Sequence, residues 1–174
     1  AQGPAGQRRP RLWAGMHLRK KSADKAIKSL APWLPSEADD VRLMTMLGNA
    51  YVATGRNEEA ATLFEKIAAT DPDNTAIRTR LALTRLSSGD RDSAVKEFES
   101  ILDSDPDEVR ANLLLVLTHL RERKFDKALA AAKTLKQRMP DNPKPENFLG
   151  TIQLGKKDPE TARKHFMQAL EIQP

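Results

Sequence analysis

Apolar residues recur along this chain on two length scales. Within short windows they fall three and four residues apart, as in Leu43, Leu47, Ala50 and Tyr51, and again in Ala60, Phe64 and Ile67. That spacing places them on one face of an α-helix. Over longer distances the same kinds of residue return every 34 positions. Ala26, Ala60, Ala94, Ala128 and Ala162 form one column, and Leu30, Phe64, Phe98, Ala132 and Phe166 a second. Trp13, Leu47, Leu81, Leu115 and Leu149 form a third, and Pro72, Pro106, Pro140 and Pro174 a fourth. A fixed period of this size is the signature of a solenoid, in which no single unit can bury its own apolar stripe and neighbours must stack.

Each unit reads as two helices. In residues 41–74 the first helix runs to Thr54-Gly55, where glycine suits a left-handed C-terminal position. Glu58 and Glu59 open the second helix, where acidic side chains complement the N-terminal dipole. Ala60, Phe64 and Ile67 are its stripe, with the small alanine column letting two backbones approach. Asp71-Pro72-Asp73-Asn74 ends it and supplies capping side chains for the next helix.

These residues resemble the tetratricopeptide repeat family, whose pattern is a helix–turn–helix with Leu-Gly, Tyr, Ala, Phe and Pro at set places. Leu47-Gly48, Tyr51, Ala60, Phe64 and Pro72 match throughout one repeat, and Leu149-Gly150, Ala162, Phe166 and Pro174 match in another. Residues 75–108 keep Leu81-Ala82, Gly89, Ala94, Phe98 and Pro106, while residues 109–142 keep Leu115, Ala128 and Pro140 but carry Ala132 in the phenylalanine column. The unit at 7–40 is the most degenerate, with Trp13-Ala14, Ala26 and Leu30 fitting and Ala38 in the proline column. The resemblance implies an all-α fold, a right-handed superhelical solenoid of about five hairpins. It implies repeats at 7–40, 41–74, 75–108, 109–142 and 143–174, after a linker-like tail at 1–6. The style of the last repeat is similar to arrays in bacterial exported proteins, in particular the repeat lipoproteins of exopolysaccharide and PEP-CTERM sorting systems. A periplasmic or envelope location is the expectation from that likeness, with the cytoplasm the alternative. Arrays of this kind usually carry a polar closing helix. None follows Pro174, so a longer parent protein is expected.

Charge changes the picture less than its total indicates. The net charge of +5 comes from residues 1–28, where eight basic side chains face Asp24 alone; the remaining residues hold 21 basic and 23 acidic side chains. A basic arm can bind phosphates. No aromatic residues interleave with basic ones along the body to stack bases, so nucleic acid is not an expected partner. The longest apolar run, Leu113 to Leu117, is far too short to span a membrane. There is no cysteine, which removes disulfides, thiol nucleophiles and thiolate metal sites together.

No constellation points to catalysis or to a cofactor. His17, His119 and His165 share no ligand spacing, and the first two fall in the column of Tyr51, a helix-packing position. Asp103, Asp105 and Asp107 alternate like the start of a calcium loop, but Glu108 and Leu114 stand where that loop needs glycine and glutamate. The acid pairs Glu58-Glu59, Glu97/Glu99 and Asp158/Glu160 have no partner base. Gly155-Lys156-Lys157 lacks the rest of a phosphate loop. The expectation is a protein that is not an enzyme and uses neither metal nor cofactor.

The resemblance places the informative surface on the first helix of each repeat, at its second, fifth, ninth and twelfth positions. The candidate groove residues are Arg42, Thr45 and Asn49; Thr79, Leu83 and Leu86; Arg110, Leu113, Leu117 and Leu120; and Asn147 and Thr151. Val52, Ala76, Lys144 and Leu154 complete those positions. Members of the family that hold a peptide carboxylate do so with Lys and Asn at the fifth and ninth positions. Asn49 matches alone and Leu83 and Leu117 replace polar groups, so a carboxylate clamp is disfavoured. The helix VRANLLLVLTHLR is apolar over most of its circumference, which requires cover on more than one side. Either neighbouring first helices supply it, or a partner does. The expected partner is a protein or peptide segment, with self-association through exposed repeat ends as the alternative.

Overall fold

The computed structural model describes residues 22–34 and 40–173. Trp13, His17, Ala38, Pro174 and the basic arm up to Lys21 lie outside the described residues. Every regular element among those described is helical. A helix over 22–30, here α1, runs into a 3-10 turn at Ala31–Trp33. Then follow α2 (Val41–Thr54), α3 (Asn57–Thr70), α4 (Thr75–Ser88), α5 (Arg91–Ser104), α6 (Val109–Arg121), α7 (Phe125–Arg138), α8 (Pro143–Gly155) and α9 (Pro159–Ile172).

The helix boundaries follow from local chemistry that repeats with the period. Asp40, Asn74, Glu108 and Asn142 stand 34 residues apart, and each accepts a hydrogen bond from a backbone N–H in the first turn of α2, α4, α6 and α8. These bonds satisfy donors that the helix itself leaves free. Gly55 and Gly89 sit at φ +81° and +95°, closing α2 and α4 in the left-handed region. The same column continues through Arg123 at φ 57° and Lys157 at φ 65°, so two turns adopt glycine's conformation without glycine.

The chain divides after Asp90 into two compact units. In the first, α3 packs on both α2 and α4. Its core gathers Met44, Leu47, Ala60, Phe64, Ile67 and Leu81. In the second, α5 through α9 pack each on the next, and Val116, Ala128, Ala132, Leu149 and Ile152 form a buried cluster. Packing volume is exchanged between columns. Gly48 makes room for the Phe64 ring and Gly150 for Phe166, whereas the third hairpin pairs Val116 with Ala132. A large residue opposite a small one keeps interior density in each case.

Candidate functional site: the face of the first helices

In the first unit, Arg42 and Asn49 are exposed and Thr45 is half-buried. The Asn49 side-chain oxygen accepts a hydrogen bond from Arg80, so the amide that matches the carboxylate-holding pattern is engaged within its own unit. Leu83 and Leu86 are half-buried. Thr79 departs from the expectation: it is 1% exposed and its hydroxyl has no partner. Spacing gives the angle at which a side chain leaves its helix, but a short threonine at that angle ends beneath its neighbours.

In the second unit, Arg110 is exposed and Leu113 is half-buried. Leu117 is 36% exposed. Leu120 is half-buried and packs on the cluster of Val116, Ala128 and Ile152, so part of its apolar surface is covered by its own unit. Asn147 and Thr151 are exposed, one turn apart, and the Thr151 hydroxyl donates to the Asn147 carbonyl at 2.8 Å. Leu154, on the same face of α8, is exposed as well. The side of α6 that carries Ala111, Leu115, Val116 and His119 is buried. A helix that is apolar all round is thus covered on one flank and open at Leu117 on another.

The electrostatics of the second unit centre on Glu146, which lies on the buried side of α8, away from exposed Asn147 and Thr151, and which sequence reasoning did not single out. Its carboxylate is buried in α8 and receives Lys136 of α7 at 2.5 Å and the His165 Nδ1 of α9 at 2.8 Å. Burial pushes the carboxyl up, but the hydrogen bonds from Lys136 and His165 together outweigh it and hold the group below its ordinary value. Three successive helices are tied at one point. His119 lies buried in α6; burial, with the Lys127 charge, pushes its ring below the ordinary histidine value and keeps it neutral near pH 7. Among the described residues no cluster of three or more histidine or acidic side chains could hold a metal ion. No described helix is long and apolar enough to cross a membrane.

Capped helical hairpins, stacked on a recurring period and presenting one face of each first helix, define a repeat scaffold of the kind that binds other proteins. The chain belongs to the tetratricopeptide repeat family: sequence models of that repeat match residues 17–83, 51–118 and 85–152, and a further one matches 147–174. No curated protein matches it. Solved structures do. MamA 41-end from Desulfovibrio magneticus RS-1 is 24% identical, with 99% of this chain and 97% of that one covered and a TM-score of 0.74. MamA AMB-1 is 26% identical, covering 91% and 95%, with a TM-score of 0.72. A further MamA structure is 21% identical over 88% and 90%, with a TM-score of 0.77. These likenesses show the fold. None of these matches is an exopolysaccharide or PEP-CTERM sorting protein, so the narrower resemblance drawn from the last repeat finds no support in them.

Proposed function

We propose that this chain is a non-enzymatic interaction scaffold, free of cofactor, whose first helices take an extended or helical segment of a protein partner. The observation that carries the reading is Leu117, a large apolar side chain 36% exposed on a helix otherwise well covered. Leu113, one turn earlier on α6, and Leu154 on α8 carry further apolar surface in the same unit, where Asn147 and Thr151 of α8 supply polar groups. In the other unit, Arg42, Thr45, Leu83 and Leu86 offer a comparable mixture. Such a surface gains affinity from apolar burial and direction from a few polar contacts.

Leu117→Glu tests the reading. Burying this leucine against a ligand is worth roughly 1.5–3 kcal/mol. With the carboxylate facing water in the free protein, the melting temperature should stay within a few degrees, and affinity for a captured partner should fall at least about tenfold, or 1.4 kcal/mol. Collapse of the helical signal would instead show Leu117 to be packing surface, because a buried unpaired charge costs several kcal/mol.

A second reading rests on its own observation. Met167 and Leu170 on α9 are 53% and 63% exposed, one turn apart on one face. An apolar pair of that kind suits self-association between copies of the chain.

A further inference from the structure

The pair of positions that closes on Glu146 recurs one period earlier with different residues. Asn112 stands in the column of Glu146, Leu102 in that of Lys136, and Ala131 in that of His165. Glu146 therefore has a hydrogen-bonding partner on each side, while Asn112 has a leucine on one and a methyl group on the other. The consequence is visible in the structure. Asn112 is 2% exposed and its Oδ1 has no hydrogen-bond partner. Beside it lies an open cavity of about 370 Å³ between α5, α6 and α7, whose walls include Leu102, Leu115, Ala130 and Ala131.

A second orphan lines the same cavity. His119 is 2% exposed, and its Nδ1 has no partner either. A buried polar atom without a partner costs free energy, and both of these belong to residues that line one cavity, each atom covered by the side chains around it, so an occupant that satisfies both reaches them by displacing that cover. Asn112 and His119 are seven residues apart on α6, about 10 Å along the axis, with apolar Leu115 between them. At the rim stand Glu99 and Lys127, of opposite charge, which favours an uncharged occupant. The neutral state of His119 agrees with that. At roughly 100° per residue, this side of α6 faces away from Leu113, Leu117 and Leu120, so the cavity is separate from the proposed partner-binding face.

We propose that this cavity binds an uncharged ligand with an apolar middle and a hydrogen-bonding group at each end, of the para-substituted phenol type, with one end donating to Asn112 Oδ1 and the other meeting His119 Nδ1. The volume is adequate, since an apolar cavity of roughly 150 Å³ already holds benzene. The same chemistry occurs in a free small phenol and in a tyrosine side chain presented by a partner, with its hydroxyl at one end and its backbone amide at the other.

Binding of p-xylene, p-cresol, 4-hydroxybenzyl alcohol and N-acetyl-tyrosinamide to the full chain tests this, read by amide chemical shifts and thermal shift. The hydroxyl-bearing probes should bind, and their selectivity over p-xylene should fall at least threefold in Asn112→Leu, which removes the acceptor. Ala131→Leu places the side chain of its counterpart Leu63 into the cavity; it should abolish binding of every probe and raise the melting temperature. If that variant does not fold, the Asn112→Leu selectivity decides alone. Binding of the free phenols without N-acetyl-tyrosinamide assigns the site to small molecules, and binding of both assigns it to a partner's tyrosine. Failure of all probes to bind at millimolar concentration overturns the proposal, as does selectivity unchanged in Asn112→Leu or probe binding that survives in folded Ala131→Leu. Because Leu117 is elsewhere, loss of partner binding in Leu117→Glu leaves these outcomes unaffected.

Discussion

The ring of Phe64 lies 2.8 Å from the point that a Cβ on Gly48 would occupy, so the glycine of α2 and the phenylalanine of α3 are two halves of one packing unit. Alanine is the better helix former by about 1 kcal/mol, and on propensity alone Gly48→Ala would stabilise. The ring cannot yield, because Phe64 is 1% exposed and closed in on all sides. Overpacking of this kind costs about 1–3 kcal/mol, which exceeds the propensity gain. Gly48→Ala should therefore lower the urea midpoint. Gly150→Ala meets Phe166 at 2.6 Å, but that ring is only half-buried and can swing aside, so its loss should be the smaller of the two.

The left-handed turn column makes the opposite prediction. Lys157 holds φ 65° with an exposed side chain, where two earlier turns of the same column use glycine. A side chain in that region costs about 1–2 kcal/mol. Glycine's greater freedom in the unfolded chain returns part of this. Lys157→Gly should stabilise the second unit by about 1 kcal/mol, seen as a rise in denaturation midpoint with an unchanged slope. A fall would mean that the lysine makes a contact that outweighs the backbone strain.

The difference between Gly89 and Lys157 also shows where sequence reading succeeds and where it stops. The period and the helical stripes follow from side-chain types alone, because apolar residues must be buried whatever the details. The turn at Gly55 is legible because glycine announces a positive φ. The same turns at Arg123 and Lys157 are not, since nothing in those residues signals the conformation and only the register of the repeat carries it. Thr79 is misplaced for a related reason: helical spacing fixes its direction but not the depth to which neighbouring side chains cover it. The cavity beside Asn112 arises from what Ala131 and Leu102 lack, and it becomes readable only when their column is compared with His165 and Lys136.

Acid should destabilise the second unit in two separate windows. The folded-state value of His119 lies below its ordinary 6.5, so the unfolded chain takes up its proton first and stability falls as pH drops below about 6.5. The folded-state value of Glu146 lies below its ordinary 4.5, so the stability from Lys136 and His165 is intact above 4.5 and is lost as pH falls from there through the lower folded-state value. Denaturant midpoints measured across this range should give two slopes. His119→Gln should flatten the upper one, and Glu146→Gln the lower, with each variant leaving the other slope in place.

The two functional readings separate on α9. If copies associate through Met167 and Leu170, then Leu170→Glu places a charge where the apolar contact forms, and light scattering over a concentration series should show the mass falling to that of the monomer. Leu170 is 63% exposed, so the substitution leaves the charge hydrated in the free chain, and the helical signal and melting temperature should not change. A protein that takes a partner on the face of Leu117 and does not self-associate responds the other way round: Leu170→Glu changes neither its mass nor its partner affinity, and Leu117→Glu removes the partner. If Leu117→Glu abolishes the oligomer while Leu170→Glu leaves it intact, the partner on the first-helix face is a second copy of the chain. Were both variants to leave mass and binding untouched, neither exposed apolar cluster would be an interface, and both readings would fall together.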